Sequence, residues 1–129
     1  MIGKYLADTN IFIRLLRNDT LTATKFSALQ GVCLCTHVLG ELYLGAYASK
    51  EVAKNVGEVT ALLSSASFVS CDQQTADEYG RLKSWLWRGG KPMSENDMWI
   101  AATALRHNLT LITYDVDFDA IPHLLKQRW

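Results

Sequence analysis

The sequence has only two prolines, Pro92 and Pro122, and both fall late, so its first ninety residues contain no proline break. It has three cysteines, Cys33, Cys35 and Cys71. An odd count without framework spacing excludes a disulfide scaffold and fits a reducing compartment. Cys33, Cys35 and His37 alternate and would share one face of a strand. Zinc there lacks a fourth ligand and a C-x-x-C knuckle, so buried core thiols are the simpler reading. Charge of either sign is not in excess, since 13 basic residues balance 13 acidic ones. No global positive field advertises nucleic acid, and any such contact must rest on local patches. No stretch approaches the ~18 unbroken apolar residues of a membrane span. The opening "MIGKYLADTN" meets a carboxylate too early for a secretion signal. A soluble cytoplasmic protein without a membrane partner is expected. What is present is ordinary globular composition: 129 residues, 49% of them apolar and 20% charged. One domain over residues 1–129, with one core, follows.

Short apolar segments alternate with helical patterns. Residues 4–7 read as a strand, followed by a helix in "IFIRLLRN" that buries Ile11 and Leu15, with Phe12 and Leu16 beside them. "TLTATKFSALQ" reads as a second helix capped by Thr20 or Thr22. "VCLC" is a strand, "THVLGELYLGAYA" and "EVAKNVGEVTALLSSA" are helices, and "FVSC" is a third strand. "QTADEYGRLKSWLWR" is a helix that stops at Gly89-Gly90. "SENDMWIAATALRHN" is a helix ending near Asn108, and "LTLITY" is a fourth strand. This alternation predicts an α/β fold whose mostly parallel sheet is covered on both faces. Ligands of such sheets gather beyond the carboxyl ends of the strands, where Asp8 follows the first strand and Asp115 the last.

Each acid taken alone has a plain structural explanation. Asp8 can cap the helix that follows it. Glu41 lies beside an apolar stripe of Val38, Leu44 and Gly45, and reads either as a boundary residue reaching water or as a functional one. Gly45 in a helix costs about 1 kcal/mol relative to alanine, which close packing would explain. Ser94-x-x-Asp97 matches a capping box. Ala101, Ala102 and Ala104 behind it would let that helix approach the sheet and hold Asp97 near the strand ends. Asp115 opens "DVDFD", an acidic turn with Asp117 and Asp119 alternating. It is no calcium loop, because Ala120 and Lys126 stand where glycine and glutamate are needed. Several carboxylates gathered at one sheet edge repel one another and cost stability unless protons or cations neutralise them. Oxygen ligands without cysteine or histidine suit Mg2+ or Mn2+.

Taken together, "LADTNIFI" around Asp8, "VLGELYLGA" around Glu41, "NDMWIAATAL" around Asp97 and "LTLITYDVDF" around Asp115 resemble a PIN-domain ribonuclease. More specifically they resemble VapC-like toxins of toxin–antitoxin pairs, with the pieces in the family's order across nearly the whole chain. The resemblance implies a PIN-like three-layer sandwich with a central sheet of four to five strands flanked by helices. It implies that Asp8, Glu41, Asp97 and Asp115 form an acidic metal site for Mg2+ or Mn2+, with Asp117 placed to share or replace the role of Asp115. Thr9, Asn10 and Thr113 match polar positions flanking the carboxylates, where hydrogen bonding is the implied role. An RNA substrate, a cognate antitoxin and a homodimer are further implications.

Carboxylates repel RNA without a metal, so flanking cations must help. Arg14 and Arg17 on the first helix, and Arg81, Lys83, Arg88 and Lys91 around "RLKSWLWRGGK", are the candidates. Trp85 and Trp87 read as core or a partner-binding face with Leu82 and Leu86, or as base-stacking groups. His37, His107 and His123 have no acid–base partner in the sequence. Two rival functions remain at this level. A phosphatase forming an aspartyl phosphate at Asp115 with Asp117 leaves Asp8, Glu41 and Asp97 without a role. A non-catalytic binding module makes all the acids caps and turns.

Overall fold

The computed structural model describes residues 4–129. Five strands, β1 (Tyr5–Ala7), β2 (Val32–Cys35), β3 (Ser67–Val69), β4 (Thr110–Thr113) and β5 (Lys126–Arg128), form one sheet in the order β3-β2-β1-β4-β5. Every pairing is parallel. The six helices are α1 (Thr9–Leu16), α2 (Thr20–Ala28), α3 (Thr36–Tyr47), α4 (Val52–Ala61), α5 (Gln73–Arg88) and α6 (Glu95–His107). All four residues of β2 are buried, as are Leu6, Ala7, Leu111, Ile112 and Thr113. Neighbouring strand residues point to opposite faces, so burial of consecutive ones means both faces of the central strands are covered. The edge strands β3 and β5 each leave two of three residues exposed.

The caps follow from local chemistry. Asp19, not Thr20 or Thr22, caps α2; its carboxylate accepts from the Thr22 backbone N–H and hydroxyl. Asp72 caps α5 the same way, at 2.8 Å from the Thr75 backbone nitrogen. Gly89 ends α5, and Gly90 turns the chain away with φ +64°. Asn108 closes α6 in the left-handed region, φ 54°.

Several boundaries differ from the sequence reading. The helix expected to run to Ala66 stops at Ala61, and a 3-10 turn over Leu62–Ser64 follows. The third strand is Ser67–Val69 rather than residues 68–71. β4 is not the last strand, because β5 adds parallel to it at the sheet edge. His37 is not on β2 with Cys33 and Cys35 but in the first turn of α3, which removes the shared face on which zinc would have depended. Gly45 has no atom within 4 Å of where a Cβ would stand, so close packing does not explain it.

In the core, Ile11 and Phe12 of α1 are fully buried, with Leu15 and Leu16 packed at its margin. On α6, Ala101, Ala102 and Ala104 have no exposed surface. The helix packs on α5, α3 and β4, and its first turn brings Asp97 within reach of the charges of Asp8, after β1, and Asp115, after β4.

Candidate active site

Asp8 follows β1 directly and caps α1. One carboxylate oxygen accepts from the Thr9 backbone N–H at 2.8 Å. The other accepts from the Thr113 hydroxyl, also at 2.8 Å. The helix-cap reading is therefore correct, but it accounts for only one of the two oxygens. The Asp8 side chain lies 4% exposed at the sheet edge. Burial pushes its carboxyl upward, the Thr113 and Thr9 hydrogen bonds pull it down, and the charges of Glu41 and Asp115 add to the upward push. Thr113 also accepts from the Asp115 backbone N–H at 2.9 Å, so one hydroxyl links the ends of β1 and β4.

Asp97 sits in the first turn of α6, where its backbone N–H donates to the capping Ser94 hydroxyl at 3.2 Å. Its carboxyl is half-buried and pushed upward, first by burial. The Ser94 hydroxyl opposes that shift, while Asp8, Asp115 and Asp117 add to it. Asp115 accepts from the Asp117 backbone N–H at 2.9 Å and starts a 3-10 turn over Val116–Ala120. Asp97, Asp115 and Asp117 each bring a carboxylate oxygen to within 4.8 Å of the other two. Glu41, in the middle of α3, accepts a hydrogen bond from the Asn96 side-chain amide, beside Asp97. The acids that the sequence singles out thus converge from β1, α3, α6 and the segment after β4. The tightest group contains Asp117 and leaves Asp8 and Glu41 further back.

Residues 5–124 match the PIN domain. The chain belongs to the PIN-domain family. It is 31% identical to "Ribonuclease VapC1" of Haemophilus influenzae strain R2866, over 97% of each chain. Its fold superposes on the VapBC2 structure from Rickettsia felis, bound to a DNA fragment from their promoter, with a TM-score of 0.91. That match covers 100% of this chain and 99% of the other at 27% identity. VapBC-5 from Mycobacterium tuberculosis, a member of the VapBC family of toxin-antitoxin systems, superposes with a TM-score of 0.74. It is 26% identical, covering 98% of this chain and 97% of the other. The five-stranded parallel sheet flanked by helices is the PIN-like fold expected from the sequence.

The donor set of this PIN domain fits a hard divalent cation. Carboxylate oxygens cluster without cysteine or histidine, and their mutual repulsion disfavours the empty cluster. Thr9 carries a buried hydroxyl without a hydrogen-bond partner among the described residues, next to Asp8. Asn10 is exposed, and no hydrogen bond to its side chain occurs among the described residues. Of the three flanking polar residues, Thr113 makes a side-chain hydrogen bond to a carboxylate, and Thr9 reaches one through its backbone. Asn96 is the site neighbour to which sequence reasoning gave no role. Its signal was its place in "ENDMW", directly before Asp97.

The flanking cations divide into two groups. The Arg14 guanidinium lies over the Tyr114 ring, 3.8 Å from its centroid, next to Asp115 in the chain. Arg81 pairs with Asp77 at 3.1 Å, and Lys83 with Glu95, so both are already partly neutralised. Trp85 and Trp87 are surface residues, whereas Leu82 and Leu86 are in the core. His37 stacks on Trp99 with centroids 5.0 Å apart, and His123 meets the Trp85 ring edge-on. Among the described residues no helix is long and apolar enough to cross a membrane.

Proposed function

We propose that this PIN domain is a divalent-metal-dependent endoribonuclease of the VapC kind, the toxin of a toxin–antitoxin pair. The observation that carries this reading is the convergence of Asp8, Glu41, Asp97, Asp115 and Asp117 at the carboxyl ends of β1 and β4. Asp97, Asp115 and Asp117 are the residues that would hold Mg2+ or Mn2+, with Asp8 and Glu41 completing the acidic wall. When bound, the ion would supply a water of lowered pKa and charge stabilisation at the phosphate oxygens.

The chain's own groups do the rest. Thr113 fixes the Asp8 carboxylate by donating to one oxygen, while the first turn of α1 fixes the other. Asn96 orients Glu41. A carboxylate of the group accepts the proton of the attacking water, and Arg14 on α1 and Arg17 at its C-cap offer cations to the RNA backbone. This scheme needs no serine or cysteine nucleophile.

For the antitoxin, a groove floored by Ile13, Leu16, Leu42, Ala46 and Val59 opens beside Glu41, with Arg17 and Glu58 among its lining residues. An apolar helical segment fits such a groove, and from there it would reach the acidic site. A homodimer in the cytoplasm completes the reading, and sedimentation of the purified chain tests the pairing.

The experiment that tests the activity is incubation of a mixed structured-RNA pool with purified protein in Mg2+, in Mn2+ and in EDTA, beside Asp97→Asn. Cutting that requires metal and disappears in the variant is expected. Ser94 caps the helix through the residue-97 backbone N–H, which the change leaves in place, so metal-dependent cutting by that variant would sink the assignment.

A further inference from the structure

The segment from Tyr79 to Ser94 contains Arg81, Lys83, Arg88 and Lys91 and no aspartate or glutamate, within a chain of zero formal net charge. It is a local positive stripe formed by α5 and the turn into α6. Arg81 and Lys83 have carboxylate partners, whereas Arg88 and Lys91 have none among the described residues. Trp87, next to Arg88, is 73% exposed, the largest value among the exposed large hydrophobic side chains of the described residues. The Lys83 ammonium sits over its ring, 5.2 Å from the centroid. Trp87 borders a cleft with Leu86, Met93 and Met98, into whose lining Lys83, Lys91 and Glu95 also enter, and Met98 follows Asp97 in α6. An open indole, two cations without carboxylate partners and a mostly apolar cleft therefore meet beside the first turn of α6, the turn that carries Asp97.

We propose that Trp87 is a stacking platform for an unpaired RNA base, with Arg88 and Lys91 contacting the phosphates that lead the strand toward Asp97. The direction of the strand rests on the ribonuclease reading above. Charge favours this occupant over a protein: Lys83 and Lys91 line the cleft against a single carboxylate, Glu95, which already pairs with Lys83, and Arg88 adds a further cation beside Trp87. Interface cores are depleted in lysine. A single strand brings both a π-face and a phosphate at each nucleotide, matching an aromatic flanked by cations. A duplex offers no free base face.

The test uses Asp97→Asn protein, so that RNA is bound without being cut, and a fluorescein-labelled single-stranded RNA octamer read by anisotropy. Trp87→Ala in that background weakens binding roughly 5- to 150-fold, the span for losing one stacked base. Trp87→Phe keeps most of the affinity, because a ring face remains. Lys91→Ala lowers the slope of log K against log salt by about 0.7. A duplex of the same sequence binds both the parent and Trp87→Ala proteins equally. Unchanged octamer affinity in Trp87→Ala overturns the proposal. So does a Trp87→Ala protein that sediments as a monomer where its parent is a dimer, since a second copy would then be the occupant. If octamer binding depends on Trp87 while wild-type protein cuts no RNA, the platform stands and the nuclease reading falls.

Discussion

The Asn96 side-chain amide donates a hydrogen bond to Glu41 Oε1, joining the first turn of α6 to the middle of α3. One turn back along α3, His37 stacks on Trp99, which lies one turn further along α6. Tyr79 of α5 stacks on Trp99 as well, with centroids 3.9 Å apart. The aromatic clamp fixes the distance between the helices, and the amide then sets the orientation of the Glu41 carboxylate relative to Asp97.

Asn96→Ala is expected to weaken Mn2+ binding by about 10-fold or more, the usual effect of losing an outer hydrogen bond to a metal-site carboxylate. Calorimetric titration of Mn2+ into wild type, Asn96→Ala, Glu41→Ala and the double variant measures it. If Asn96 acts through Glu41, its replacement has no further effect once Glu41 is alanine. An equal loss in both backgrounds would mean that Asn96 contributes to folding or to the site independently.

Asp8→Asn should raise the melting temperature in EDTA while abolishing cleavage. The folded-state carboxyl of Asp8 is pushed above its ordinary value of 3.8, chiefly by burial. A raised value means that its contribution to stability is fully present below 3.8 and is lost as pH rises through the folded value. Above that range the metal-free protein therefore bears the destabilisation that burial of this carboxyl causes. Asparagine carries no charge; its oxygen still accepts from the Thr9 N–H, and its amide nitrogen donates to the Thr113 hydroxyl oxygen in place of the bond that Asp8 accepts. Added Mg2+ should stabilise wild type and leave the variant nearly unmoved. A melting temperature below wild type in EDTA would contradict this account.

Alkaline stability should depend on Cys35. Burial raises its thiol from 9.0 to about 11. Its contribution is complete below 9.0 and declines as pH rises toward about 11, because the unfolded chain releases the proton first. Between those limits the loss is about 2 kcal/mol. Urea unfolding from pH 8 to 11 should show Cys35→Ala flatter than wild type by that amount. Parallel curves would remove Cys35 as the cause.

What the sequence made legible was local. Asp8 after an apolar strand, Ser94 ahead of Asp97, and the run Ala101, Ala102 and Ala104 each state their role within a few residues. Gly89-Gly90 likewise ends α5 by chemistry that needs no distant partner. What was hidden depends on tertiary neighbours. Strand β5 reads Lys-Gln-Arg, with no strand pattern of its own, and exists because β4 pairs with it. The bond from Asn96 to Glu41 spans 55 residues. The tryptophans were legible in principle: Leu82 and Leu86, four apart, mark the buried stripe of α5, and Trp85 and Trp87 fall off it.

Strand β1 lies at the centre of the sheet, yet one of its neighbours, β4, comes from more than a hundred residues later in the chain. Asp8 accordingly emerges from a ribosome long before Thr113, which holds it, and Asp115, which faces it. No shorter nascent fragment contains the assembled acidic group, because its two sides meet only after β4 has left the exit tunnel. The fold thus delays competence until β4 and the acids that follow it have been made and released.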